Sequence, residues 1–100
     1  MKKDDKACVY HTIRVIGQKW TILLLFELCK SPKRFGELQR ALVGISPRTL
    51  ALRLKQLEHN DIVNKKVFAE VPLHVEYSLT PKGESLREII NKMRDWGESA

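Results

Sequence analysis

One hundred residues with 43% hydrophobic content suffice for one modest core and leave no room for a second, so residues 1–100 are expected to form one domain. The formal charge of +6 is concentrated. Five Lys/Arg stand against three Asp/Glu over residues 1–29, nine against three over 30–66, and four against six over 67–100. A basic excess confined to the middle third points to local contact with a polyanion rather than to a charged tail.

The start, Met1-Lys2-Lys3-Asp4-Asp5-Lys6, lacks the apolar core and small-residue cleavage site of a leader, so the chain is expected to stay in the cytoplasm. Val9 to Ile16 predicts a first helix ending at Gly17. Lys19 to Lys30 predicts a second, stopped by Ser31-Pro32 because proline disfavours helical geometry in the residue before it. Its apolar run Thr21–Cys29 is far shorter than the roughly 20 residues a membrane span needs, so it is expected to be the central core helix.

Arg34 to Leu42 describes a short amphipathic helix with Phe35, Leu38, Ala41 and Leu42 on its apolar side, and Val43-Gly44-Ile45 turns the chain. Ser46 then caps a further helix and Pro47 fits its first turn, where a missing N–H costs nothing. Leu50, Leu54 and Leu57 fall on one side of it. Arg48, Thr49, Leu52, Lys55, Gln56 and His59 project to the other, with Arg53 at the border. Two short helices joined by a glycine-containing turn, the second with a cationic outward face, describe a helix-turn-helix whose second helix would enter a DNA major groove. The alternative is a packed helical pair with solvated charges.

Asn60-Asp61 marks a turn. Ile62 to Ala69 then predicts a strand with Val63, Val67 and Ala69 on one side, and Val75, Tyr77 and Leu79 alternate in a partner strand across the tip Glu70-Val71-Pro72-Leu73. Helix, turn, helix and a two-stranded wing make the expected fold mainly α with a small β-hairpin (α+β), a winged helix-turn-helix. Thr80-Pro81 launches a last helix through about Trp96, carrying Leu86, Ile89, Ile90, Met93 and Trp96. That stripe either covers the core or forms a homodimer seam, since so terminal a row is hard to bury within a small domain and DNA-binding helices commonly work as symmetric pairs. Val9 and Ile13 of the first helix are candidates for the same seam.

Arg48 and Arg53 either hydrogen-bond guanine edges or hold phosphates, with Arg48, nearer the helix start, the better candidate for a base. Thr49 and Gln56 suit either role. Leu52 either meets a thymine methyl or is a tolerated surface leucine. Lys33, Arg34, Lys65 and Lys66 are candidate phosphate contacts, together with Ser46, Lys55 and His74.

Cys8-Val9-Tyr10-His11 offers two metal ligands at most, and neither a Cys-x-x-Cys nor a complete zinc set is present, so no metal or other cofactor is expected. Cys29 is expected to be a buried small hydrophobe. Cys8 precedes the predicted first helix, where the helix dipole and Lys6 favour a reactive thiolate, and it is either a redox-sensitive thiol or an inert one. No nucleophile with its base, carboxylate pair or phosphate loop is visible, so an enzyme is not expected. A membrane partner is disfavoured because the basic helix lacks an apolar aromatic face. A protein-docking module is the competing function. Its face would be aromatic-rich and poor in lysine, whereas this helix-and-wing face is basic.

Seven blocks in order resemble the HxlR-type regulators, winged-helix transcription factors related to MarR proteins. They are Cys8, Ile16-Gly17-Gln18-Lys19-Trp20-Thr21, Arg34-Phe35-Gly36-Glu37-Leu38, Gly44-Ile45-Ser46-Pro47-Arg48, Leu54-Lys55-Gln56-Leu57-Glu58, Val75-Glu76-Tyr77-Ser78-Leu79-Thr80 and Asp95-Trp96-Gly97. The resemblance implies a sequence-specific transcriptional regulator acting as a homodimer joined through its terminal helices on a partly palindromic operator. It places the recognition helix at Ser46 to about Asn60 and the wing at about Ile62 to Leu79. It also sets Cys8 where similar regulators carry a cysteine that senses oxidants or electrophiles. The chain departs from the family in having His74 where many similar proteins have arginine. No small-molecule effector is named by the sequence. Any such ligand would bind at the dimer seam or between the first helices and the recognition unit.

Overall fold

Thr21, Leu24, Leu25 and Leu28 repeat at three- and four-residue intervals, and burying that stripe organises the molecule. A computed structural model describes residues 4–100; the leaderless reading of Met1–Lys3 lies outside them. The helices are α1 (Asp5–Ile16), α2 (Lys19–Lys30), α3 (Phe35–Ala41), α4 (Pro47–His59), α5 (Pro81–Glu84) and α6 (Arg87–Ser99), and the strands are β1 (Lys33–Arg34), β2 (Val63–Phe68) and β3 (His74–Leu79). Helix α2 is central, as expected, with Leu24, Leu25 and Leu28 at most 3% exposed. Around it close Leu38 and Leu42 from α3 and its end, Leu50, Leu54 and Leu57 from α4, Ile62, Val63 and Tyr77 from the sheet, and Ile90 from α6. Each such side chain removed from water contributes about 2 kcal/mol.

The local signals act as their chemistry dictates. The Ser46 hydroxyl accepts the Thr49 N–H at 3.0 Å, with Pro47 in the first turn of α4. Gly44 takes φ +94°, a left-handed conformation that turns α3 into α4 and that side chains with a Cβ resist.

Four expectations need correction. The wing is not a lone hairpin. Lys33 and Arg34 form a third antiparallel strand on β3, in the order β1-β3-β2, with Lys33 opposite Tyr77 and Arg34 opposite Glu76. So short a strand exists only through its partner and has no periodicity of its own. The C-terminal helix is broken at Ser85–Leu86 into α5 and α6, where the Ser85 and Leu86 N–H groups donate three residues back, to the carbonyls of Lys82 and Gly83, at 3.2 and 3.0 Å. Ile90, proposed for the dimer seam, is 2% exposed and belongs to the core, and Leu86 packs half-buried against it. Finally, α1 begins at Asp5, capped by the Asp4 carboxylate accepting from the Lys6 N–H, so Cys8 lies inside the helix rather than before it. On the wing, Val63 is buried but Val67 is 54% exposed, since β2 outruns the core beneath it.

The junction of α4, β2 and α5 rests on one hydroxyl. Thr80 Oγ1 donates to the Asp61 carbonyl at 2.6 Å, lies 3.2 Å from that of Ile62, and accepts the Gly83 N–H at 2.9 Å. The Thr80 N–H donates to the Ile62 carbonyl at 3.0 Å. A Cβ on Gly83 would overlap the Ile62 carbonyl oxygen. Arg87 fastens the other end, bonding Glu84 through Nε and Nη2 at 2.8 and 3.0 Å and donating through Nη1 to the carbonyl of Cys29 on α2.

Thr80→Val, which keeps the shape and deletes the bonds, should cost about 2 kcal/mol in urea unfolding. Gly83→Ala, which forces overlap with backbone, should cost about 3 kcal/mol. A Gly83→Ala protein as stable as wild type would contradict the close approach.

Candidate nucleic-acid interface

Helix α4 is two-sided. Leu50, Leu54 and Leu57 are at most 1% exposed on its inner side, whereas Leu52 on the outer side is 49% exposed. Arg48, Lys55, Gln56 and His59 are exposed on the same outer side, and Thr49 and Arg53 are half-buried at its margins. Arg48 and Lys55 make no intramolecular hydrogen bond or ion pair among the described residues, so their donors remain available. Arg53 is held. Its Nη1 donates to Gln56 Oε1 at 3.0 Å, and its Nε is buried without a partner. The two side chains sequence placed separately therefore form one oriented pair, which loses less rotamer freedom on meeting a base edge or phosphate. Ser46 Oγ donates to Thr49 Oγ1 at 2.9 Å, which leaves the Thr49 hydroxyl hydrogen as the uncommitted donor of that pair.

The sheet gathers the remaining cations. Lys65 is exposed on β2 opposite Tyr77 of β3, and Lys33 is opposite Tyr77 on the other side, so β3 is flanked by basic residues from segments some thirty positions apart. Lys33 Nζ donates to Ser31 Oγ at 2.8 Å. Arg34 is exposed, and its backbone N–H is bonded by the Glu37 carboxylate at 2.8 Å. An open groove of about 600 Å³ between α4 and the sheet is lined by Lys55, Glu58, His59, Lys65 and Tyr77. Burial, and secondarily Glu58, pushes the Tyr77 phenol above its ordinary range, so it is neutral at physiological pH. Tyr77 was not among the residues expected at the site. The Lys55, Glu58, His59 spacing is legible in sequence, but the strand register that brings Lys65 and Tyr77 alongside it is not.

Towards the wing tip, Lys66 Nζ lies 4.9 Å from the Phe68 ring centroid, and the His74 ring stacks on Phe68 at 4.6 Å with its Nδ1 4.0 Å from a Glu70 carboxylate oxygen. His74 is thus half-buried in the wing's own packing. The tip itself carries Val71 and Leu73 fully or largely exposed and no basic residue.

The terminal helices expose apolar side chains. These are Val9, Tyr10 and Ile13 on α1 and Ile89, Met93 and Trp96 on α6, with Trp96 at 74%. Cys8 is exposed on α1, whereas Cys29 is half-buried on α2. Burial pushes the Cys29 thiol up, against the opposing pull of Arg87, which favours its neutral, unreactive form. No described helix is long and apolar enough to cross a membrane.

Known proteins with this arrangement regulate transcription. The uncharacterized HTH-type transcriptional regulator YdeP of Bacillus subtilis (strain 168) is 41% identical over 96 residues, spanning 95% of this chain and 75% of that protein. The crystal structure of a protein described as a MarR-family transcriptional regulator from Enterococcus faecalis V583 superposes with a TM-score of 0.88 at 38% identity, covering 99% of this chain and 90% of that one. The redox regulator HypR in its oxidised form superposes with a TM-score of 0.88 at 42% identity, covering 92% and 95% of the two chains. With residues 15–100 also matching the HxlR-like helix-turn-helix profile, the chain belongs to the HxlR-like helix-turn-helix family of transcriptional regulators.

Proposed function

We propose that residues 1–100 act as one winged helix-turn-helix unit in the cytoplasm, binding double-stranded DNA as a homodimer with the two α4 helices in successive major grooves of a partly palindromic operator. The observation that carries the reading is the outer side of α4. Arg48 has free donors, Arg53 and Gln56 are paired and oriented, and Leu52 lies exposed between them, while three buried leucines hold the helix from behind. Arg48, Thr49, Leu52, Arg53 and Gln56 face the bases. Lys33, Arg34, Lys55, Lys65 and Lys66 hold phosphates, with Ser46 and His74 at the margins. Fluorescence anisotropy with the duplex upstream of the protein's own gene and a scrambled duplex tests this. A preference of about a thousandfold is expected. Equal, weak, salt-sensitive binding to both, repeated with duplexes selected from random sequence, would remove specific readout.

The homodimer is supported by the exposed apolar side chains of α1 and α6, which water disfavours on a monomer of this size. A second reading concerns control. Cys8 is the accessible thiol, and this chain is similar over nearly its full length to a redox regulator. Oxidation would join the Cys8 thiols of two copies, each sulfur losing a proton and an electron to an external oxidant as the S–S bond forms, and would fix the spacing of the two reading helices.

Arg48→Ala should relax base preference by about 1–3 kcal/mol, whereas Lys65→Ala should weaken all sequences alike and lower the salt slope by about one. Equal loss for Arg48→Ala on specific and random DNA would remove it from the readout group. In sedimentation velocity, Trp96→Glu should shift the dimer towards monomer by at least about tenfold in dissociation constant, the cost of burying an unpaired charge. Iodoacetamide at neutral pH should alkylate Cys8 ahead of Cys29 by about tenfold or more. Peroxide should change operator affinity in the wild type but not in Cys8→Ser, and an identical response in both proteins would end the sensing role.

A further inference from the structure

Arg14 and Gln18, which flank the corner between α1 and α2, carry donors that nothing nearby accepts. Arg14 is the basic residue in the last turn of α1, and its side chain is exposed. It makes no ion pair or side-chain hydrogen bond among the described residues. Gln18 is exposed at the start of α2 and makes no capping bond to that helix. Both line a groove of about 190 Å³ between this corner and the second half of α4.

A cation at a helix C-terminus is ordinarily accounted for by the helix dipole alone. Here the surroundings go further. No carboxylate lines the groove, and two of its residues, Thr21 and Leu57, are buried in the packing of α2 and α4, so its floor is held in place. A guanidinium beside an uncommitted amide, with no acid to neutralise it, is the chemistry that receives a phosphate. The position of Gln56 says which phosphate. It borders the same groove, and through its Oε1 it accepts from Arg53 on the outward side of α4. A helix seated in a major groove is bordered by the sugar–phosphate backbones on either side, so a donor beyond Gln56 meets backbone rather than bases.

We propose that this groove receives one backbone phosphate of the duplex in which α4 lies, held by the Arg14 guanidinium and the Gln18 amide. The inference rests on the DNA reading above and adds α1 to the elements that touch DNA. Cys8 lies six residues from Arg14, about 9 Å along the helix axis. The helix that carries the accessible thiol is then itself fastened to the DNA backbone, and displacing it breaks a contact with DNA directly.

The test is the salt dependence of binding to a random-sequence duplex and to the duplex the wild type prefers, measured for the full chain. Arg14→Gln should weaken both by the same factor, about fivefold, and lower the slope of log K against log salt by about one per bound subunit. Arg14→Lys should restore the slope, which a merely structural role for the side chain would not require. Lys92→Gln, which removes an exposed cation of α6 outside the groove, should leave the slope unchanged. Duplexes carrying one neutral methylphosphonate linkage locate the contact. At least one linkage should weaken the wild type about fivefold and have no effect on Arg14→Gln, while the other linkages act alike on both proteins. An unchanged slope in Arg14→Gln, or the same response to every linkage as wild type, overturns the proposal. So does a shift in the dimer dissociation constant with the slope intact, which would assign Arg14 to the seam. Wild-type protein that binds neither duplex would instead end the DNA reading itself, and the inference with it.

Discussion

The Thr80 hydroxyl is the constraint on which the joint surface of α4 and the wing depends. It is 3% exposed and joins the chain leaving α4 to the first turn of α5, with Gly83 pressed so closely on Ile62 that no side chain fits between them. A buried hydroxyl without partners is costly, and one that both donates and accepts is stable only where those partners are held. The end of α4, the start of β2 and the entry to α5 therefore keep fixed relations. The groups of α4 and those of the wing consequently face outward as one surface rather than as two that must find each other.

That surface is basic because the fold brings side by side the cations at the two ends of the basic middle third. Lys33 and Arg34 precede α3, and Lys65 and Lys66 follow α4, yet β3 runs between the two strands that carry them. A weakly supported two-residue strand does the joining, and it needs the pairing of β3 with β2 as its template. With Val71 and Leu73 rather than a cation at the wing tip, the positive charge of the wing stays near α4. The exposed cations of the sheet thereby lie beside the outward side chains of α4.

Much of this was legible beforehand. Ser46-Pro47 and Thr80-Pro81 mark helix starts through hydrogen bonds each serine or threonine makes to its own neighbours, and Leu50, Leu54 and Leu57 define a buried side by spacing alone. What escaped depends on contacts between distant parts of the chain. Strand β1 exists only against β3. Ile90 and Ile89 share one apolar helix stripe, and period says nothing of depth, so only packing against α2 separates the core residue from the exposed one. The close approach of Gly83 to Ile62 likewise joins positions twenty-one apart. At the interface, the outward residues of α4 were readable, but the Arg53–Gln56 pairing and the place of Tyr77 beside Lys65 required rotamers and strand register.

Helix α1 is secured differently from the rest. Of its twelve residues only Ile16, at its last turn, is buried. Twelve residues are marginal for a helix without tertiary support. Its amides should therefore exchange with solvent through local fraying, while those of α2 and α4 wait for global opening. Covering Val9, Tyr10 and Ile13 would also end that fraying. Any association through α1 would therefore share one equilibrium with its ordering, part of the binding energy going into the helix itself.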